Sequence, residues 1–214
     1  GFVKPTPAGL AFGGTTSTQP GTPGTTGASE EYNGTSWTNS NSMNTARRNV
    51  YGSGTQTASI TAAGLTNPAA DSNNSEEYDG TSWTAGNTLN TARRGAALCG
   101  TQTANLIQGG GNPVASKTTT EEYDGTNWSN AGVRITGARD PSAFGTQTAA
   151  LGCGGYSAPT AIITTTEGYD GTSFSTRPSL AQARQTAAGS GTSQLGLLSG
   201  GADGGGNGYA NVEE

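Results

Sequence analysis

An eight-residue pattern recurs along this chain at nearly constant spacing, and it constrains the fold more than any other feature of the sequence. The four copies read EEYNGTSW, EEYDGTSW, EEYDGTNW and EGYDGTSF, and they stand at Glu30–Trp37, Glu76–Trp83, Glu121–Trp128 and Glu167–Phe174. Their tyrosines lie 46, 45 and 46 positions apart, and Glu213-Glu214 starts a fifth copy. A period of about 40–50 residues with several short strands in each unit is typical of propellers.

The composition separates two interpretations of such a polar chain. Of the 214 residues, 36 are glycine, and only 30% are hydrophobic, which could indicate disorder. Disordered chains usually combine few aromatic residues with a high net charge. Here 12% of the residues are charged, the net charge is −5, and the aromatic residues stand in fixed register. We therefore predict a regular, strand-rich repeat with glycine turns.

Charge and residue content also exclude several classes of function. An acidic chain with scattered arginines lacks the basic patch that binds nucleic acid. The sequence contains no apolar run long enough to span a membrane. The absence of histidine excludes the usual zinc sites. The two cysteines, Cys99 and Cys153, fall at non-equivalent places in their repeats, so we expect small buried side chains rather than a disulfide.

Aligned on the tyrosines, each repeat contains four short strand-like segments, with an Asp-Gly or Asn-Gly hairpin turn between the third and the fourth. The repeats span residues 1–46, 47–92, 93–138, 139–183 and 184–214, and we predict one all-β domain, 1–214, that closes as a propeller of about five four-stranded blades. In the N-terminal repeat, Gly1–Lys4 is the expected first strand. The fifth repeat lacks the outer strand, so this blade has either three strands or a fourth supplied by further sequence.

A family resemblance rests on four features of each unit. In the third repeat these are Gly109-Gly110 after a hydrophobic strand, Tyr123-Asp124, Trp128, and Arg139 at the start of the next unit. This pattern resembles the kelch repeat, which implies a β-propeller but no particular activity. The repeated motifs YDGTSW, LNTAR, GTQTA and GG are similar to those of kelch-like repeats in structural and tail proteins inferred for marine bacterial viruses. The copper-oxidase branch of kelch proteins needs histidine ligands, which this chain lacks.

The repeated polar and aromatic residues each allow two interpretations. The glutamates before each tyrosine either bind Ca²⁺ or a sugar, or pair with the arginines that open the blades; the glutamates are Glu30, Glu31, Glu76, Glu77, Glu121, Glu122 and Glu167, and the arginines are Arg48, Arg94, Arg139 and Arg184. The aromatic rings either pack between blades or stack on sugars; they are Tyr32, Trp37, Tyr78, Trp83, Tyr123, Trp128, Tyr169 and Phe174. The aspartates either close the hairpin turns or bind calcium; they are Asp79, Asp124 and Asp170. Because features copied into every blade normally belong to the fold, we favour the structural interpretation in each case.

The repeats differ most from one another in the segments between their second and third strands. They differ in sequence and should emerge on one face of the ring; they are Thr15–Ser29, Leu65–Ser75, Gly111–Thr120, Tyr156–Thr166 and Ala202–Asn211. We expect a non-enzymatic binding or structural module, virion-associated or extracellular, with no catalytic residues, cofactor or metal. Its partners would be other virion or surface proteins, or glycans, bound through these loops. The leading hypothesis is a viral tail or surface-appendage protein, and the alternative is a secreted lectin with repeated sugar sites between blades.

Overall fold

The computed structural model describes residues 8–16, 24–112, 114–159, 161–205 and 207–214, and the regular elements in these ranges are all β-strands. They form five blades. Blade 1 contains β1 (Gly9–Phe12), β2 (Ser29–Tyr32) and β3 (Trp37–Ser40), paired in that order. The strand β1 occupies the second-strand position, since it runs up to Gly13-Gly14. The predicted first strand, Gly1–Lys4, lies outside the described residues, as does 17–23 of the first variable loop.

Blades 2, 3 and 4 are four-stranded antiparallel sheets with a small hairpin between the second and third strands of each sheet. Blade 2 contains β4 (Tyr51–Thr55), β5 (Ala58–Ala62), β8 (Ser75–Tyr78) and β9 (Trp83–Ala85), with the hairpin β6 (Leu65–Thr66) and β7 (Ala70–Asp71). Blade 3 contains β10 (Ala97–Gly100), β11 (Asn105–Gln108), β14 (Thr120–Tyr123) and β15 (Trp128–Asn130), with β12 (Gly111–Asn112) and β13 (Ala115–Ser116). Blade 4 contains β16 (Ser142–Thr146), β17 (Ala149–Cys153), β20 (Thr166–Tyr169) and β21 (Phe174–Arg177), with β18 (Tyr156–Ser157) and β19 (Ala161–Ile162).

Blade 5 has three strands among the described residues: β22 (Ala188–Gly191), β23 (Gly196–Ser199) and β24 (Val212–Glu213). The strand β24 pairs with β23 in the same antiparallel arrangement that joins the third strand to the second in blades 2 to 4. The all-β propeller with five blades and the shortened last blade are therefore confirmed.

The first strands of neighbouring blades lie side by side around a common axis, in the order β4, β10, β16 and β22. Each strand is preceded by a residue with positive φ: Asn49 (49°), Gly95 (58°), Asp140 (51°) and Thr186 (55°). The backbone N–H groups of Gly95, Asp140 and Thr186 each donate to the carbonyl of the preceding residue in this series, at 3.1, 2.7 and 3.0 Å. A chain of hydrogen bonds thus links blades 2 to 5 at one end of the axis.

The hydrophobic core is divided among the interfaces between blades. The cluster between blades 2 and 3 joins Ile60 and Ala62 of one blade to Leu98, Tyr123 and Trp128 of the next. Similar clusters join blades 1 and 2, blades 3 and 4, and blades 4 and 5. A single sheet cannot bury both of its faces, so stacking of the repeats creates the core. Cys99 and Cys153 lie in two of these clusters as free buried thiols, which confirms their predicted role.

Candidate functional site

The first glutamate of the repeated pattern is a buried ion-pair partner. Glu76 accepts hydrogen bonds from the backbone N–H groups of Asn44 (2.6 Å) and Thr45 (3.1 Å) and from Arg47 Nη2 (2.9 Å). Nη1 of Arg47 also donates to the carbonyls of Ala63 and Asn74. We call this arrangement the Arg–Glu clamp, and it recurs as Arg93 with Glu121 and Arg184 with Glu213. In blade 4, Arg134 makes only the ion pair with Glu167, and its guanidinium nitrogens have no hydrogen-bond partner among the described residues. The ion pair ties the segment entering each blade to the third strand of that blade.

Glutamates pair with arginines, as predicted, but three of the four arginines that form these pairs are not the predicted ones. Arg184 forms the expected pair, whereas Arg48 and Arg94 stand one residue beyond the arginines that do so. Adjacent residues of an extended segment point to opposite sides. The backbone of Arg48 pairs with that of Leu65, and it is the side chain of the preceding residue, Arg47, that points inward to the glutamate. Arg139 instead contacts Asp140 and Tyr156.

Blade 4 has no arginine at the usual position but has one four residues earlier in the chain. Ala138 stands where blades 2, 3 and 5 have the clamp arginine, and Arg134 stands where the other connections have Met43, Leu89 and Leu180. The buried Arg134 reaches Glu167 with Nε at 3.5 Å from Oε2. The sequence feature that indicates this change of position is the arginine in VRITGA, residues 133–138, which the alignment of the repeats did not identify as a pairing residue.

The second glutamate and the tyrosine of the pattern join neighbouring blades. The hydroxyls of Tyr78, Tyr123 and Tyr169 donate to Glu31, Glu77 and Glu122 of the preceding blade. Burial, and then the hydrogen bond to the carboxylate, raise the pKa of each of these phenols. The rings pack on the aromatic residue five positions later, with centroids 4.7–5.0 Å apart. The predicted packing between blades is therefore correct for blades 2, 3 and 4.

Blade 1 departs from this pattern. Trp37 is 52% exposed, whereas Trp83 and Trp128 are 5% and 6% exposed. Its ring packs on Tyr32, at 5.2 Å, but the other face of the pair has no sheet against it among the described residues. The predicted burial of Trp37 between blades is wrong for the described residues, since none of their sheets covers this side of blade 1. In blades 2 to 4, conversely, the buried rings are unable to offer stacking surfaces to a sugar.

The glutamine of the repeated GTQT turn also joins the blades. The side-chain amide of Gln102 donates to the carbonyls of Ser59 (3.1 Å) and Tyr78 (2.9 Å) in the preceding blade. Gln56 and Gln147 make the same two bonds in their own interfaces. The repetition of GTQT at one register was the available signal.

The aspartates of the hairpin turns have the predicted structural role. Oδ1 of Asp79 accepts hydrogen bonds from the backbone N–H groups of Thr81 (2.8 Å) and Ser82 (2.7 Å). These bonds to the ionised carboxylate lower the pKa of Asp79, and the same contacts recur at Asp124 and Asp170. Each aspartate closes its own turn.

The variable segments surround one end of the ring axis. The hairpins of blades 2 and 4 and the last variable segment begin at Leu65, Tyr156 and Ala202, and each of these residues pairs with the segment that enters the first strand of its own blade. The hydroxyl of Ser116 donates to the carbonyl of Tyr156 (2.9 Å) and accepts from the N–H of Ala158 (2.8 Å), which connects the hairpins of blades 3 and 4. The segments predicted as polar loops are thus partly ordered hairpins. We call this end of the propeller the hairpin face.

Asp140 occupies the centre of the hairpin face. The equivalent positions hold Asn49, Gly95 and Thr186, so this carboxylate breaks the repeat. Asp140 is 7% exposed, and it accepts a long hydrogen bond from the hydroxyl of Tyr51 (3.4 Å), two blades away. Nη1 of Arg139 lies 3.6 Å from Oδ2. Burial raises the pKa of Asp140, although the charges of Arg139 and Arg94 and the Tyr51 hydrogen bond oppose it.

A side chain larger than hydrogen at Gly95 would collide with Asp140. A Cβ added to Gly95 would stand 2.4 Å from Oδ1 of Asp140, and φ at Gly95 is 58°. Next to Asp140, an axial cavity of about 330 Å³ is lined by residues in or just before the first strands of blades 2 to 5, including Tyr51, Leu98, Pro141 and Thr186. Of the three polar groups, Tyr51 lines the cavity, whereas Asp140 and Arg139 are not among its lining residues. The hydroxyl of Tyr51 donates to Asp140 and can accept a hydrogen bond from a ligand, and we take this arrangement as our candidate site.

No three metal-ligating side chains converge anywhere in the part of the chain that the structure describes. Within the same residues, no helix has the length and apolar character needed to cross a membrane.

The comparisons with known proteins support the fold. No family model matches the chain, and no curated protein matches its sequence. Among solved structures, the chain is similar to one titled "Structure of YjhT", with a TM-score of 0.81 and 13% identity over 96% of this chain and 77% of that one. At this identity the likeness shows the fold alone. The chain is therefore a five-bladed β-propeller, an architecture consistent with a binding or structural module.

Proposed function

We propose that this propeller is a non-enzymatic recognition module of an extracellular or virion structure, and that it binds its partner with the hairpin face. The observation that carries this proposal is the difference between the two ends of the ring. The opposite end repeats the same Asp-Gly and Gly-Thr-Gln-Thr turns in successive blades, whereas the hairpin face carries a different sequence in every blade. Binding residues are commonly found in loops held by a rigid scaffold.

The residues of the candidate site support recognition rather than a repeated structural role. Arg139 and Asp140 are neighbours in the sequence, and Tyr51 of blade 2 reaches Asp140 of blade 4 only because the blades stack. The exposed Val114 adds an apolar contact residue on the same face. A partner would be bound by polar groups at the centre and by hairpin side chains around it.

Between the two kinds of partner, the geometry favours a surface that contacts one large partner. A lectin with equal sites between blades would need accessible rings at each interface, but Tyr78, Tyr123 and Trp128 are buried. From the repeat motifs alone, which resemble those of viral structural proteins, we propose a tail or surface-appendage protein. The partner would then be a host surface component or another virion protein.

The test replaces hairpins without touching the core. We expect Gly-Ser segments of equal length at 111–116 and 156–162 to abolish binding to a host-cell envelope preparation, with the unfolding midpoint lowered little. Asp140→Asn should weaken binding in the otherwise intact protein. The matched control, Thr81→Ala with Thr126→Ala on the opposite end, should bind as the unmodified chain does.

Two outcomes would contradict the proposal. Unchanged binding after replacement of both hairpins would exclude the hairpin face. The second outcome is glycan binding on an array at several equal sites per chain. If the Asp140→Asn variant keeps this binding, the lectin is favoured instead.

A further inference from the structure

The segment that enters blade 4 carries its sequence motif one residue away from the usual place. In the other connections the motif is an apolar residue, two variable residues, alanine and the clamp arginine, as in MNTAR (43–47), LNTAR (89–93) and LAQAR (180–184). Before blade 4 the matching residues are ITGAR (135–139). In the structure, however, Arg134 rather than Ile135 has the backbone hydrogen bond of the apolar residue, and Ala138 has that of the clamp arginine.

Two differences in spacing produce this shift. Seven positions separate Trp128 from Ile135, whereas six separate the corresponding residues of the other connections. Six positions separate Arg139 from Gly145, whereas seven separate the clamp arginine from the equivalent glycine in blades 2, 3 and 5. One residue is thus added before the motif and one is missing after it, and the observed register keeps the usual spacing to Gly145 while displacing the motif.

The observed register inverts the polarity of the segment. Arg134 is 2% exposed, and its guanidinium nitrogens have no hydrogen-bond partner among the described residues. Its apolar neighbours, Val133 and Ile135, are 61% and 57% exposed. In the connection to blade 3 the apolar residue, Leu89, is buried at the same place. A buried charge without hydrogen bonds is costly, so a register that takes this arginine to solvent removes the cost.

The backbone at Asp140 is also unfavourable for its sequence. Its φ is 51°, a left-handed value that is uncommon for residues other than glycine. Because Pro141 follows, the proline ring biases Asp140 toward an extended backbone. An extended Asp140 lengthens the path that each residue covers, so the six positions from Arg139 to Gly145 can span the distance that seven span in the other blades.

We propose that residues 133–141 have a second register, displaced by one residue, in which ITGAR takes the place of the usual motif. Ile135 is then buried where Arg134 lies in the first register. Arg139 becomes the clamp arginine and binds Glu167, as the clamp arginines of the other blades bind their glutamates. Arg134 moves into the surface loop that carries the added residue.

The exchange of registers regulates the candidate site. A shift of one residue along an extended segment turns each side chain to the opposite side. Asp140 therefore leaves the hydroxyl of Tyr51 in the second register, while the clamp of blade 4 is completed. This regulation rests on the proposed function: a partner bound through Asp140 and Tyr51 selects the first register, because a ligand shifts an equilibrium toward the state that it binds better.

The test measures the environment of Ile135 in the complete chain without a partner. Its terminal methyl group, isotope-labelled and assigned through Ile135→Val, should exchange between two states in NMR relaxation-dispersion experiments. One state should be accessible to a soluble paramagnetic probe, and the other should be protected. The methyl group of Ile107, fully buried between blades 2 and 3, is the internal control and should show one protected state.

Two variants each select one register. Arg134→Asp places a second carboxylate beside the buried Glu167 in the first register but only in solvent in the second, so it should shift the equilibrium toward the protected state of Ile135 by at least about tenfold. Arg134→Leu with Ala138→Arg supplies the motif in the first register, so the exchange should disappear and Ile135 should stay accessible. Val133→Ser, at an exposed position of the same segment, is the matched control and should leave the exchange unchanged.

Binding of the host-cell envelope preparation tests the regulation. The Arg134→Asp variant should bind at least about tenfold more weakly than the unmodified chain, because the apparent affinity falls with the fraction of chains in the binding-competent register. The Arg134→Leu, Ala138→Arg variant should bind at least as tightly as the unmodified chain.

Three results would overturn the second register or its role. The first is a single accessible state of Ile135 in the unmodified chain. The second is an Arg134→Asp variant that unfolds instead of protecting Ile135. The third is unchanged binding by an Arg134→Asp variant in which Ile135 is protected. If the unmodified chain itself does not bind the envelope preparation, the proposed function fails, while the methyl experiments still decide between one register and two.

Discussion

The interface between blades 2 and 3 and the free face of blade 1 present the same sequence pattern in two environments. In the interface, Trp128 is 6% exposed and Glu121 is fully buried in an Arg–Glu clamp. On the free face, Trp37 is 52% exposed, and Glu30, the equivalent of Glu121, is exposed too. The motif therefore determines where its residues point, while a neighbouring blade determines whether they contribute to stability.

The largest difference should come from the buried glutamate. We expect Glu121→Gln to lower the free energy of unfolding by about 3–5 kcal/mol, because Arg93 would be left buried without its counter-charge. Glu30→Gln on the free face should change it by less than about 0.5 kcal/mol. Urea unfolding of the two variants measures the contrast, and similar losses would show that blade 1 is covered in solution.

The tryptophans provide the next comparison. Trp128→Ala should cost about 3 kcal/mol or more, since it removes a large side chain from a packed interface. Trp37→Ala should cost less than about 1 kcal/mol. Fluorescence gives a second measurement: acrylamide should quench Trp37 in a Trp83→Phe, Trp128→Phe variant far more strongly than it quenches Trp128 in a variant that keeps only that residue. Equal quenching would refute the contrast.

A smaller effect is expected from one hydroxyl group. Tyr123→Phe removes the hydrogen bond to Glu77 and should cost about 1.5–2 kcal/mol, because the acceptor is charged. Tyr32→Phe on the free face is the matched control and should be nearly neutral. A double-mutant cycle of Tyr123→Phe with Glu77→Gln isolates the pair energy, and a coupling near zero would contradict the assignment.

The smallest effect concerns alkaline pH and again distinguishes the buried interfaces. Burial raises the pKa of Cys99 to about 12 and of Cys153 to about 11. Because these folded-state values exceed the ordinary thiol value of about 9, the folded chain retains protons that the unfolded chain releases. Their contribution to stability is complete below about pH 9 and declines as the pH rises toward the folded values.

Unfolding experiments between about pH 8 and 10.5 measure this slope. A Cys99→Ala, Cys153→Ala variant should lose stability less steeply with pH than the unmodified chain. Stability that rises with pH over this range would contradict the assigned direction.

Much of the scaffold could be predicted because it depends on local patterns. The spacing of the tyrosines gave the number of blades, and the Asp-Gly turns located the outer hairpins within a residue or two. Contacts between repeats were harder. Prediction chose Arg48 rather than Arg47, because the choice depends on which of two adjacent side chains faces the third strand. The candidate site was missed altogether, since nothing local connects Tyr51 to Asp140.

The sequence by itself determined the repeat, the strands, the turns and the separation of a constant end from a variable one, because each depends on residues close together in the chain. The tertiary structure decided which copies of the motif are buried, where Arg134 replaces the missing clamp arginine, and that Asp140 meets Tyr51 beside the axial cavity. These outcomes depend on the stacking of blades, which brings together residues from different repeats. A motif repeated almost identically is thus buried at Trp128 and exposed at Trp37.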